Sequence, residues 1–269
     1  MADRDYVLGT HDDELKRLGF QHQVWRPRAL DAWTRARIGE GARVIDFGAG
    51  PGFATLDLAE IVGPSGQVYA LERSRRFLDA LEAQAKARGL TQIKAIEIDV
   101  ATEDLPVEGA DAAWVRWVLA FLEKPKPALE KLVAAVKPGG ALVFHEYIDY
   151  QTWRLAPRAP NFERFVEKVV SSWRASGGEP DIGRDLPSWL TQMGLKLESI
   201  RPYVDVVSKD DNVWRWPIGF FEIHIDRLVE LNRITPEIAK DMRDEFARVS
   251  QKPGTLMVTP LVLEIIARK

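Results

Sequence analysis

The chain has 269 residues, 46% of them hydrophobic and 29% charged, which is enough apolar material for one substantial core and argues against disorder. The formal charge is −3, with Lys and Arg scattered, so the basic stripe of a nucleic-acid binder is missing. Cysteine is absent, which excludes disulfides, thiolate zinc sites and a thiol nucleophile.

In chain order, the first forty residues read as helical. Leu15, Leu18, Phe20, Val24 and Trp25 form an apolar stripe that Pro27 is expected to break, and a second short helix follows over 29–38. The start, Met1-Ala2-Asp3-Arg4-Asp5, has no signal-peptide apolar core, and no apolar run approaches the roughly 18 residues of a membrane helix, so a cytoplasmic location is expected.

From 41 to 149 strands and helices alternate, the pattern of a mainly parallel sheet. Val44-Ile45-Asp46-Phe47 is a strand that runs into Gly48-Ala49-Gly50-Pro51-Gly52, and a helix opens at Phe53 and continues to Ile61. Strand 67–71 ends at Glu72, and an amphipathic helix spans 74–88. Strand 93–98 ends at Asp99-Val100, and a fourth strand spans 110–116. Val136-Lys137-Pro138-Gly139-Gly140 turns into a fifth strand that ends at His145-Glu146-Tyr147.

After Tyr150 the rhythm changes. Pro157 and Pro160 precede a helix over 161–175, 183–193 reads as helical, and 195–207 as a strand. Helices are expected over 212–231 and 236–249, with Thr235 as N-cap before Pro236, and 261–267 closes the fold as a strand.

The glycines at the strand-to-helix junction have a physical purpose. They permit backbone angles closed to other residues and let a ligand approach the main chain, while the helix N-terminus offers free N–H groups to an anion. The spacing is G-x-G-x-G, with Asp46 two residues ahead, and not the G-x-G-x-x-G of dinucleotide folds. With Glu72, Asp99 and the Lys137-Pro138-Gly139-Gly140 turn in the right order, the chain resembles the class I S-adenosylmethionine-dependent methyltransferases, in particular the bacterial small-molecule type.

That resemblance implies a Rossmann-like, seven-stranded, mainly parallel α/β sheet with helices on both faces. A helical N-terminal cap (1–40) would precede a cofactor-binding half (41–150) and a substrate-side half (151–269) of one domain. The helical pair at 212–249 would be an insertion before the last strand, placed as a lid. S-adenosylmethionine would be the cofactor and S-adenosylhomocysteine the product, with no metal. Asp46 would face the ammonium of the methionine end, and the Gly48-Ala49-Gly50 N–H groups its carboxylate. Glu72, with Arg73 next to it, would bridge the ribose hydroxyls, Asp99 and Val100 would meet the adenine, and Arg116 and Trp117 would curve under the cofactor. Arg17-Leu18-Gly19-Phe20-Gln21 resembles the first helix of these enzymes, where Gln21 would approach the methionine and the aromatics Trp25 and Tyr6 would close the pocket.

His145 and Glu146 are the candidate catalytic residues. Histidine titrates near neutrality and could take a proton from the nucleophile, with Glu146 orienting a donor. His11, His22 and His224, in the cap helices, are expected at the surface. Two absences narrow the chemistry. No Asn/Asp-Pro-Pro-Tyr/Phe segment follows the fourth strand, which argues against methylation of adenine, cytosine or glutamine amino groups, and no carboxylate cluster ends it to hold a metal. The expected reaction is methyl transfer to a small molecule by in-line displacement, with no nucleic-acid or membrane partner, by a monomer or homodimer. The alternatives are a protein that binds the cofactor without methylating, and a methyltransferase acting on a macromolecule.

Overall fold

The structure, a computed structural model, describes residues 12–269. The expectations for Tyr6 and His11 lie outside these residues. The first element is a single helix, α1 (Asp12–Arg35), which runs through Pro27. Two helices were expected there. Pro27 removes one backbone hydrogen bond, but it sits on the exposed side, where the freed carbonyl can meet water. On the opposite side Trp25, Ala29, Ala32 and Trp33 are all fully buried, and that packing holds the helix together across the proline.

The alternating region folds as expected: β1 (Arg43–Phe47), α2 (Phe53–Val62), β2 (Gln67–Glu72), α3 (Arg75–Arg88), β3 (Ile93–Glu97), β4 (Ala110–Arg116), α4 (Pro125–Ala135) and β5 (Val136–Asp149). Ser74 caps α3 by accepting the Phe77 N–H, and Gly89 ends it in the left-handed conformation. The Lys137–Gly140 segment lies within β5, not ahead of it. Pairing with β4 jumps there from Ala110↔Val136 to Ala112↔Ala141, which bulges the four intervening residues out of register.

The remaining chain forms β6 (Arg154–Ala156), α5 (Pro160–Ala175), α6 (Leu186–Gln192), β7 (Lys196–Tyr203), β8 (Val206–Val207), α7 (Asn212–Glu230), α8 (Pro236–Ser250), β9 (Leu256–Val258) and β10 (Leu261–Arg268). The seven-stranded sheet has the order β3-β2-β1-β4-β5-β10-β7, with β10 antiparallel to both its neighbours. Two expected elements are divided. The helix over 183–193 is a short 3-10 turn (Ile182–Arg184) followed by α6. The strand over 195–207 splits into β7, in the large sheet, and β8, which joins a small sheet of order β6-β9-β8. Arg28 binds both carboxylate oxygens of Asp205 at the point of division.

Burial alternates along β1 and β4 between two cores. Val44 and Trp114 pack on one face beneath α1 and α2, and Ile45, Phe47 and Val115 pack on the other beneath α4 and α6. A third, strongly aromatic core joins α5, α7, α8 and the small sheet to Trp25 and Trp117. Among the described residues no helix is long and apolar enough to cross a membrane.

Candidate active site

Strands β1, β2 and β4 end on one edge of the sheet, and a cavity of about 440 Å³ opens there. Such crevices at the carboxyl edge, where strand order reverses, are the usual ligand positions of open α/β sheets. Asp46, Gly48, Ala49, Gly50, Glu72, Arg73, Asp99, Val100, Arg116, Trp117 and Gln21 all line it. Residues from five separate stretches of sequence thus converge on one space.

Gly50 has φ +56°, and a Cβ added there would meet no heavy atom within 4 Å. Its side-chain position is therefore open space, and a ligand can lie against its backbone. Glu72 accepts the Gly50 N–H at 2.9 Å and the Ser74 N–H at 2.8 Å, one on each oxygen, which fixes the carboxylate and leaves further lone pairs for hydroxyl donors. Burial raises its pKa, against those two N–H groups. Asp46 is buried and accepts the Thr55 hydroxyl at 2.6 Å. Burial pushes Asp46 up to about 6, while Thr55 and Arg116 pull the other way. Asp99 accepts the Ala101 N–H at 3.0 Å, so it also organises its own turn.

The base of β4 supplies Arg116 and Trp117. Trp117 has φ +52°, and its ring is within 15° of parallel to those of Tyr147 and Trp216, at centroid distances of 5.4 and 5.7 Å. Arg116 donates Nη2 to Nδ1 of His22 at 3.0 Å. Burial lowers the Arg116 pKa to about 10, which leaves it a cation at neutral pH.

Three expected site residues lie away from the cavity. Trp25 is fully buried and meets Trp117 edge-on at 5.1 Å, so it supports the wall from behind. His145 is fully buried between the rings of Trp25 and Trp114, and its Nε2 lies 3.0 Å from Glu264. Burial lowers its pKa. Glu146 is also fully buried and accepts the N–H groups of Val118 and Leu119 at 2.8 and 3.0 Å. Neither touches the cavity, so the expected pairing of His145 and Glu146 with an acceptor does not fit this placement. The strand continues to Asp149, and side chains that were expected at its free end are in the core. His22 and His224 are buried as well, not at the surface: His22 is hydrogen-bonded between α2 and β4, and His224 stacks on Phe220.

Phe53, Phe121 and Lys124 also line the cavity and were not anticipated. Phe53 could have been found, as the first helical residue after the glycines. Phe121 and Lys124 sit on the irregular turn after β4 and give no periodic signal. Among the described residues no group of three or more His, Cys, Asp or Glu could hold a metal ion.

A family model described as a methyltransferase domain matches residues 45–144. The demethylmenaquinone methyltransferase of Geobacillus kaustophilus (strain HTA426) is 31% identical over 211 residues, covering 73% of this chain and 88% of that protein. The protein of the same name from Geobacillus sp. (strain WCH70) is 31% identical over 123 residues, so the match spans 46% of this chain and only about half (51%) of that one. Among solved structures, the YcgJ protein of Bacillus subtilis superposes with a TM-score of 0.58 at 16% identity, over 92% of this chain and 98% of that one. The [4+2]-cyclase SpnF superposes with a TM-score of 0.56 at 18% identity, over 90% and 80%. These two likenesses show the fold.

Proposed function

The chain belongs to the class I S-adenosylmethionine-dependent methyltransferases, and from that premise we propose that it transfers a methyl group to a small-molecule acceptor in the cavity at the β1–β4 edge. One observation carries the reading: Gly50 opens onto the cavity while Asp46, Glu72 and Asp99, at the ends of three different strands, line the same space. This set of carboxylate acceptors fits a cofactor with an ammonium, ribose hydroxyls and an adenine. Asp46 would pair with the ammonium, Glu72 would accept the ribose hydroxyls, and Asp99 with Val100 would meet the adenine. When bound, S-adenosylmethionine supplies an electrophilic methyl group on its sulfonium.

The residues of the chain then have to align and desolvate. Phe53, Trp117 and Phe121 give the cavity apolar walls, which exclude water and suit a flat acceptor. Trp117 also presents a π surface near a ligand cation. Relatives named demethylmenaquinone methyltransferase support a small, ring-containing acceptor. The scattered surface charge supports the same class over nucleic acid.

The test is incubation with methyl-labelled S-adenosylmethionine and a panel of hydroquinones, phenols and amines. Labelled product from one class supports the proposal. Cofactor bound tightly without transfer to any acceptor would move the protein to the binding class, and failure to bind S-adenosylhomocysteine would remove the reading.

A further inference from the structure

The exposed large hydrophobic side chains of the described residues are Ile200, Val204, Val206 and Leu256, and they share one margin of the molecule. Three of them lie in the stretch that leaves β7, the edge strand of the large sheet, and enters β8, an edge strand of the small one. Leu256 is on β9, the neighbour of β8.

The small sheet explains why such side chains face water. Met257 pairs with Leu155 on one side and Val207 on the other, so these three share its inner face. All three are buried in the aromatic core that also contains Trp117 of the cavity wall. The alternate positions form the outer face. Val258 lies between Arg154 and Val206, and Leu256 lies opposite Ala156. Val206 keeps 62% of its surface exposed there.

Cations ring this aliphatic face. Arg154 stands on it and donates to the carbonyls of Thr152 and Gln151. Lys252 sits in the turn just ahead of Leu256, where its carbonyl accepts the Thr255 N–H at 3.2 Å. The nearby acids are mostly engaged: Arg158 holds Glu163 through Nε and Nη2, Arg28 holds Asp205, and Asp211 caps α7. Asp210 is offset by its neighbour Lys209. Further along the margin, Arg268 binds Glu198 at 2.7 Å, and Arg37 and Lys196 add their charge to the same carboxylate. The margin is thus positive on a chain whose net charge is −3.

Area and charge decide what covers it. Strands of three, three and two residues present a face of roughly 100–150 Å², against about 800 Å² per partner in a stable protein interface. A second copy packed across a twofold axis would also set cations against cations. An anionic lipid surface needs neither a large area nor a fixed shape, because aliphatic side chains enter the headgroup boundary while basic ones stay at the phosphates.

We propose that the outer face of the small sheet, with the adjoining β7–β8 margin, docks the protein on an anionic lipid surface. Val206, Leu256 and Val204 enter the boundary, and Arg154 and Lys252 meet lipid phosphates. Such a contact needs no spanning helix, so the lack of a spanning run behind the sequence expectation of no membrane partner does not bear on it. It is also independent of the methyl-transfer reading.

The full chain has no cysteine, so Val206→Cys and Ala87→Cys can each carry a single environment-sensitive label, the second on α3 beside the opposite edge strand, β3. The probes are vesicles of phosphatidylcholine alone and of phosphatidylcholine with phosphatidylglycerol. With the anionic vesicles the label at 206 should shift to the blue and the label at 87 should not. Co-sedimentation should show anionic vesicles bound about tenfold or more tightly than neutral ones, a preference lost in salt of about 1 M, where screening acts within about 3 Å. Val206→Ser with Leu256→Ser, and separately Arg154→Gln with Lys252→Gln, should each weaken that binding by about tenfold or more in proteins that melt as the wild type does. Binding to neither vesicle, equal binding to both at every salt concentration, a shift of both labels, or unchanged binding in both double variants would overturn the proposal. A dimer in lipid-free sedimentation velocity that the serine variant abolishes would overturn it as well, and would assign the face to a second copy.

Discussion

The carboxyl of Glu146 accepts the N–H of Val118 at 2.8 Å, and Val118 directly follows Trp117, whose φ is +52°. A tryptophan rarely adopts that backbone conformation, at a cost of about 1–2 kcal/mol. Glu146 thus pins the turn that displays Trp117 to the cavity, from inside the core and at no contact with a ligand.

Burial pushes Glu146 up to about 8, against the N–H groups of Val118, Leu119 and Ala120. A folded-state value above the ordinary carboxyl value means that its stabilising contribution is complete below about pH 4.5 and is lost as pH rises through about 8. Glu146→Gln keeps an acceptor and cannot ionise. Its stability should match the wild type near pH 5 and overtake it on the way to pH 9, diverging by up to about 1.4 kcal/mol per pH unit. Glu146→Leu leaves the Val118 and Leu119 N–H groups unpaired and should lose about 1–3 kcal/mol per group at every pH. Denaturant melts at three pH values read both effects. Parallel curves for wild type and Glu146→Gln would mean that the carboxyl ionises freely.

Two glycines in the same loop should separate binding from folding. A Cβ on Gly50 enters open space, whereas one on Gly52 would come within 2.3 Å of Leu81 Cδ1. Both have positive φ, so each alanine variant carries strain of about 1 kcal/mol. Gly50→Val should abolish S-adenosylhomocysteine binding in a protein that still melts cooperatively. Gly52→Ala should lower Tm further, through displaced core packing. Normal affinity in Gly50→Val would place the ligand elsewhere.

The lining of the cavity around the glycine turn was legible because its determinants are local in sequence. Asp46, Glu72 and Asp99 each end or follow a strand, and the glycines read as a turn whatever surrounds them. The surroundings of His145 and Glu146 were not, because they depend on how far a strand continues and what covers it. His145 and Glu146 looked terminal, yet β5 runs on to Asp149 and β10 lies alongside, with Glu264 paired opposite His145. Helix α1 crosses Pro27 because four fully buried side chains outweigh one lost hydrogen bond, a balance invisible to a rule about proline. The small sheet escaped notice because its strands, of three, three and two residues, are too short to show alternation.

Asp46 supplies a pH dependence of binding. Its pKa of about 6 comes first from burial, and an arriving ammonium stabilises the ionised form. Binding should therefore release a proton near pH 6 and weaken below it, approaching tenfold per pH unit. His22, whose pKa burial lowers, lies nearby and must be separated from this effect. Asp46→Asn serves that purpose: it should weaken S-adenosylhomocysteine at pH 8 and flatten the profile between pH 5 and 7. An unchanged slope in that variant would assign the pH dependence to another group.

Helices α1 and α7 pack against each other beside the cavity. Trp216 Nε1 donates to Gln21 Oε1 at 3.3 Å, and Arg215 lies 4.5 Å above the Phe20 ring. A long neutral hydrogen bond and an exposed cation–π contact contribute about 0.5–1 kcal/mol each, small beside the burial of Trp216 and Phe221 in the aromatic core. Gln21 is the one of these residues that lines the cavity, so a ligand contacting it would stabilise both helices together. Hydrogen exchange should slow in 14–26 and in 213–224 when S-adenosylhomocysteine saturates the protein, and slow less in Gln21→Ala. The rest of α7, beyond His224, packs on α5 and α8 and should exchange at the same rate with and without ligand, which gives an internal control. Identical exchange in both segments would show that α1 and α7 are a fixed wall and that the acceptor enters by another route.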